Sequence, residues 1–373
     1  MSGAMRADVV VVGAGVQGCG VALRLAQAGR SVIVLEKSIP GAEASSAAGG
    51  ILSPGVEAEH PGPFYELCRA SLARYEPFAR EVERLTGIPV GFRGGGTLEV
   101  ALDPEHAEIM AARAAILEKH SLPVEVLDDL EVRRLEPGIS PQARGALYFR
   151  DEGSLDPRLF GRALAIAAMK AGARFLTGTV QRIRSDGGRA SGVDHESGRI
   201  DADAVVLAAG SWSLLVEGHA LPERSVRPIR GQVALLDTRP PLLNRVIFSG
   251  KGYVVPRADG RILCGSTMEE AGFEKLVTAG GLKRVLEIAT EIAPDLARAP
   301  ILETWANFRP GSPDGAPILG AGALPGLFYA TGHTRNGILL AAITADAVSA
   351  AVLGRDPPVD LAPFSPARFA PVR

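Results

Sequence analysis

Near the start of the chain a glycine triplet sits between an apolar run and a helical stretch, DVVVVGAGVQGCGVALRLAQAGRSVIVLEK. Asp8 to Val12 is a short β-branched run, the texture of a strand buried on both faces of a parallel sheet. The spacing predicts a helix from about Val16 to Ala28, closed at Gly29, where a left-handed cap is cheap. Ser31 to Leu35 supplies a second strand. A strand, helix and strand joined this way make a right-handed crossover and begin a doubly wound sheet.

Gly13, Gly15 and Gly18 fall at G-x-G-x-x-G spacing on the strand-to-helix junction. The first glycine permits the tight turn, the second lets a pyrophosphate approach the backbone, and the third lets helix pack on strand. The helix that opens at Val16 and Gln17 then offers free N–H groups and the positive end of its dipole to phosphates. Glu36 ends the second strand, placed to accept hydrogen bonds from a ribose hydroxyl. This pattern predicts a dinucleotide site. By itself it does not separate FAD from NAD, and the acidic residue mainly disfavours NADP.

Bulk composition narrows the class. The 373 residues suffice for two intertwined domains, and 46% hydrophobic with 22% charged residues is ordinary for a soluble globular protein. A formal charge of −2 gives no basic excess to recruit nucleic acid or an anionic membrane. Cys19, Cys68 and Cys264 are widely spaced, odd in number and without metal-ligand pattern, which points to a reducing cytoplasm and no metal. No secretory leader is read at the N-terminus. The apolar stretch from Ile338 to Val348 is interrupted by Thr344 and Asp346, too short to span a bilayer. A homo-oligomer is left open.

The middle of the chain differs in texture. Strands are expected from Gly95 to Leu102 and from Gln232 to Leu236, and an antiparallel hairpin from Gly252 to Pro256 and Arg261 to Gly265, turning at Ala258 to Gly260. Leu282, Val285, Leu286, Ala289 and Ile292 fall at helical spacing before Pro294. Asp203 to Gly210 and the alanine-rich helix from Gly337 to Gly354 return to the character of the first unit. The expected fold class is α/β: a Rossmann-type cofactor domain with a parallel sheet (1–86, 144–220 and 303–373) and an α+β substrate domain with an antiparallel sheet (87–143 and 221–302).

Four further stretches carry a resemblance: ASSAAGGIL from Ala44, GYVVPRADGRILCGSTM from Gly252, WANFRPGSPDGAPILG from Trp305 and GHTRNGILLA from Gly332. In this order they resemble the D-amino acid oxidase family of FAD enzymes, most closely its glycine oxidase branch, over nearly the whole chain. The resemblance implies FAD as cofactor. It places against it, besides the glycines, Val16, Gln17 and Glu36, the residues Lys37, Ser45, Ser46, Ala48, Gly49, Gly50, Val180, Ala209, Gly210, Gly332, His333, Arg335, Asn336, Gly337 and Ile338. Small residues from Ser45 to Gly50 admit a large planar group, and the helix start at Gly332 to Asn336 can set its dipole against the negative charge of a reduced flavin.

The same resemblance makes Arg309, Tyr253 and Arg335 the catalytic set, with Ile51, Lys251 and Met268 beside the substrate. A guanidinium is the side chain best shaped to hold a carboxylate in a bidentate pair, so Arg309, on an expected loop, becomes the anchor, helped by the Tyr253 hydroxyl. Lys251 stands where the family member compared has histidine, which puts substrate scope in doubt, and His333 is given no catalytic role. The expected reaction is oxidation of the C–N bond of glycine or a related small amino acid to an imine, hydrolysed to an oxo acid and ammonia or amine, with dioxygen reduced to hydrogen peroxide. The alternatives are an N-substituted glycine as substrate, a dehydrogenase with another electron acceptor, and a non-catalytic FAD-binding scaffold.

Overall fold

The computed structural model describes residues 5–57 and 60–369. Met5–Val12 lies at the centre of an eight-stranded sheet, paired in parallel with Val32–Glu36 on one side and Gly198–Leu207 on the other. Arg174–Thr177 and Leu327–Thr331 extend it in parallel, Ile318–Ala321 adds an antiparallel edge, and the strands Val180–Asp186 and Arg189–His195 attach through Gly198–Leu207. Alternation on the pleat explains the unbroken apolar run. Val9, Val11, Val32 and Val34 pack under the helices, whereas Val10, Val12, Ile33 and Leu35 pack on the opposite side. The first helix, Val16–Gln27, lies against Pro157–Lys170 and Ala341–Val352.

A second eight-stranded sheet runs in the order Ile301–Gly311, Arg227–Asp237, Arg261–Gly265, Tyr253–Pro256, Val246–Phe248, Thr97–Ala101, Gly145–Phe149, Glu125–Asp128. Its pairs are antiparallel except for Val246–Phe248 with Thr97–Ala101. The expected hairpin is present, with Tyr253 opposite Gly265. Helix Ala279–Ile292 buries Val285, Ile288, Ala289 and Ile292 against this sheet, close to the expected stripe.

Two local expectations change. Arg309 is on a strand rather than a loop, because Arg227–Asp237 supplies a full ladder to Ile301–Gly311 and sets Ile229 opposite Arg309. Its neighbours Pro310 and Gly311 read locally as a turn, and only the distant partner makes the segment extended. The late helix begins at Ala341, not Gly337; between them the Leu340 N–H reaches Asn336 O and the Ala341 N–H reaches Ile338 O, a looser turn that leads into the helix. Within the loop of small residues, Ala44–Ala47 winds into a single helical turn.

Gly145–Phe149 and Ile301–Gly311 both belong to the second sheet, each with its own partners, whereas the expected division gives the first of these and most of the second to the cofactor domain. We propose that the seams follow the ladders, crossing near Phe149 and Gly311. Among the described residues no helix is long and apolar enough to cross a membrane.

Candidate active site

The principal cleft opens where the two sheets meet, with an empty space of ≈ 1890 Å³ when its open mouth is included. At one end is the glycine turn. Gly13 adopts φ +100, and a Cβ there would lie 2.6 Å from Ala208 O; a Cβ on Gly18 would lie 1.9 Å from Gly13 O. Both are glycine because backbone fills the space. Gly15 differs: the nearest atom to its would-be Cβ is Ser45 Oγ at 3.3 Å, and the rest opens into the cleft. The Val16 N–H, first in the helix, donates to Ser45 Oγ at 3.1 Å.

The Glu36 carboxylate accepts from the Ala14 N–H at 2.8 Å and from the Ser38 N–H at 3.1 Å, which ties the end of its strand to the glycine turn. Lys37 closes this end: its Nζ lies 3.4 Å from the Trp212 ring centroid and 3.1 Å from Glu43. Val180, Ala209 and Gly210 line the wall between. Gln17 donates through Nε2 to Gly337 O at 2.6 Å, but its buried Oε1 has no hydrogen-bond partner among the described residues.

Ala48, Gly49, Gly50 and Ile51 line the other end, opposite the turn that carries His333, Arg335, Asn336, Gly337 and Ile338. Gly50 has φ +76 and would place a Cβ 2.1 Å from Leu155 O. Behind this loop Arg257 is buried, donating to Leu155 O at 2.6 Å and to Gly49 O at 2.9 Å; burial lowers its pKa to about 10. Nothing in the local sequence singles out Arg257, although it falls inside the Gly252 stretch. His333 is buried with Nε2 3.1 Å from Thr344 Oγ1, and burial lowers its pKa to about 3, so its ring is neutral.

Arg309 and Tyr253 meet at this end. Arg309 donates to Thr267 O at 3.1 Å and to Ser266 Oγ at 2.6 Å, and its guanidinium rides over Gly231, where a Cβ would come within 2.2 Å of Nη1. Burial lowers the Arg309 pKa, and the positive charge of Arg335 acts in the same direction, while Tyr253 and Glu57 oppose it. Arg335 donates to Glu57 Oε1 at 3.0 Å, an acid that the sequence pattern does not mark.

Five of the expected residues do not line the cleft. Gly18 and Gly332 are taken up by local packing, against Gly13 and Ile318. Ser46 donates to Glu43 O. Lys251 pairs with Glu291 at 3.0 Å on the surface, and Met268 is 53% exposed; neither lines the cleft. Among the described residues no group of His, Cys, Asp and Glu could hold a metal ion.

A family profile described as DAO, FAD dependent oxidoreductase, matches residues 8–351. The chain belongs to this family. Glycine oxidase of Geobacillus kaustophilus is 35% identical over 366 residues, 96% of each chain. The bifunctional protein ThiO/ThiG of Synechocystis sp. is 36% identical over 97% of this chain, which spans 54% of that relative's length. In three dimensions the crystal structure of the Geobacillus glycine oxidase superposes with a TM-score of 0.93 at 33% identity, covering 98% of this chain and 100% of that one.

FAD is the cofactor of the family, as the resemblance implied, and the residues present fit it. The open space at Gly15, beside a helix N-terminus, suits a pyrophosphate, and the unpaired Gln17 Oε1 offers an acceptor to a hydroxyl-bearing chain.

Proposed function

We infer that the protein catalyses FAD-dependent oxidation of the C–N bond of glycine or a related small amino acid. The imine is hydrolysed to an oxo acid and ammonia or amine. The observation that carries this reading is that Arg309 and Tyr253, on strands of the second sheet separated by Arg227–Asp237 and Arg261–Gly265, bring their side chains together in the cofactor cleft. A guanidinium held by Thr267 O and Ser266 Oγ keeps its orientation, so a substrate carboxylate finds a preset partner. FAD, when bound, supplies the acceptor for the hydride that leaves Cα, and dioxygen takes the electrons on as hydrogen peroxide. The roles of the other cleft residues belong to the same proposal. Those from Gly13 to Lys37, with Val180, Ala209 and Gly210, hold the dinucleotide, and those from Ser45 to Ile51 and from His333 to Ile338 face the flavin.

Similarity to proteins named glycine oxidase over nearly their whole length supports glycine-type substrates over the alternatives. Peroxide release on glycine, sarcosine, other N-alkylglycines and D-amino acids tests the reading. Oxidation of glycine or sarcosine with stoichiometric peroxide is expected, and the reading fails if no amino acid reduces the enzyme-bound flavin. The cytoplasm is the compartment we propose, supported by three free, buried thiols at Cys19, Cys68 and Cys264.

A further inference from the structure

Arg257 is a buried cation that the carboxylate anchor does not use. It directly follows the strand Tyr253–Pro256, is only 8% exposed and does not line the cleft. Its Nη2 donates to Gly49 O at 2.9 Å and its Nη1 to Leu155 O at 2.6 Å. Leu155 in turn donates its own N–H to Gly50 O at 2.9 Å. The carbonyls of Gly49 and Gly50 are thus both held by residues that do not line the cleft, whereas the two glycines do.

In a trans peptide such as Gly49–Gly50 the N–H points opposite to the C=O. Drawing Gly49 O toward Arg257 therefore turns the Gly50 N–H away from Arg257, to the side where the cleft lies. Gly50 is buried, and its N–H has no acceptor among the described residues. Buried backbone N–H groups are nearly always paired, so this one points to a bound group as its partner. The charge of Arg257 matters as well as its position. Burial lowers its pKa to about 10, with Asp156 opposing and Arg261 reinforcing this, so the group is cationic at neutral pH. A cation bonded to a carbonyl polarises the whole peptide and leaves its N–H the stronger donor.

Resting on the reading above that this loop faces the flavin, we propose that Arg257 is a positioning residue for the cofactor: acting through the Gly49–Gly50 peptide, it presents a strengthened N–H donor to the flavin and so raises its reduction potential. Reduction adds electron density to the flavin, and a hydrogen bond donated to it is stronger in the reduced state.

The FAD-loaded wild type, Arg257→Met and Arg257→Lys are compared by the midpoint potential of the bound flavin, titrated against redox dyes. Arg257→Met is expected to make reduction at least tenfold less favourable, a downward shift of about 30 mV for a two-electron couple. Arg257→Lys, which keeps a cation beside Gly49 O, is expected to recover at least half of that shift. A smaller shift in Arg257→Met, or recovery of less than half of it in Arg257→Lys, overturns the proposal. A second measurement needs no variant and decides the matter if Arg257→Met does not fold: hydrogen exchange of the Gly50 amide in the wild type, with and without FAD. Exchange at least tenfold slower with FAD is expected. Exchange at Gly50 that is unchanged while its neighbours slow overturns the proposal alone. No slowing anywhere from Ser45 to Ile51 overturns the assignment of this loop to the flavin, and the proposal with it.

Discussion

Arg309 owes its position to what lies beneath it. Gly231 leaves the guanidinium room on the sheet, and the carbonyl of Thr267 with the hydroxyl of Ser266 fixes its plane. In its proposed role Arg309 is the partner of a buried substrate carboxylate, whose loss is worth about 3 to 5 kcal/mol, so Arg309→Ala is expected to drop kcat/KM by roughly two to four decades. Arg309→Lys recovers only part, since an ammonium keeps the charge without the planar fork. Flavin content, read from the 450 nm band per mole of protein, stays near wild type in both; loss of flavin instead would assign Arg309 to the cofactor. Gly231→Ala tests the same geometry from below, and its Cβ is expected to displace the guanidinium and raise KM.

Glu152 shows how a buried carboxyl titrates. Burial pushes its pKa up to about 8, and the hydrogen bond from the Gly55 N–H only partly opposes this. Between 4.5, the ordinary value, and about 8, the folded chain holds a proton that the unfolded chain has released. Stability from this group therefore falls as pH rises through that window. Glu152→Gln, a neutral isostere, is expected to raise Tm relative to wild type progressively from pH 5 to pH 8. A Tm difference that does not change with pH would show that Glu152 is ionised throughout.

At the scale of elements, the glycine turn separates cofactor space from packing. Gly15→Val projects into the open cleft and is expected to abolish FAD binding while leaving the far-UV circular dichroism of the apoprotein intact. Gly18→Ala meets Gly13 O at 1.9 Å and should lower the yield of folded protein. Equal effects from the two would remove the distinction. The first strand, helix and second strand were legible because both periodicity and caps are local, as was the hairpin at Tyr253. The strand bearing Arg309 was not, since its extended form comes from pairing with Arg227–Asp237, a segment distant in sequence, where Ile229 lies opposite Arg309. Glu57 and Arg257 escaped for a similar reason. An isolated acid or arginine carries no periodic signal, and their roles exist only once Arg335 or the Gly49 carbonyl is brought alongside. Lys251 and Met268 lie near the expected hairpin in sequence, yet the side chains end in solvent or on a surface acid.

For the molecule as a whole, the cleft is a joint. Trp305 on the second sheet donates to Ala47 O, Arg158 pairs with Glu303, and Lys275 reaches Glu43, so links cross from one unit to the other around the cofactor loop. FAD that binds the folded but not the unfolded chain adds about 2.7 kcal/mol at a free concentration one hundred times Kd. Stripping the cofactor is expected to lower Tm by several degrees, and calorimetry with added FAD should restore it. If the apoprotein melted at the holoprotein temperature, the cleft would not bind FAD preferentially in the folded state.

The two sheets also divide the labour of the cleft. The glycine turn and Glu36, proposed to hold the dinucleotide, project from the first sheet, while Tyr253 and Arg309 project from the second. In the proposed roles, mutations on the second sheet would retune which amine is oxidised while the cofactor socket keeps its own hydrogen-bond and packing supports. Variation can therefore explore new substrates without first losing the flavin, which makes this architecture a permissive starting point for the directed evolution of amine oxidases.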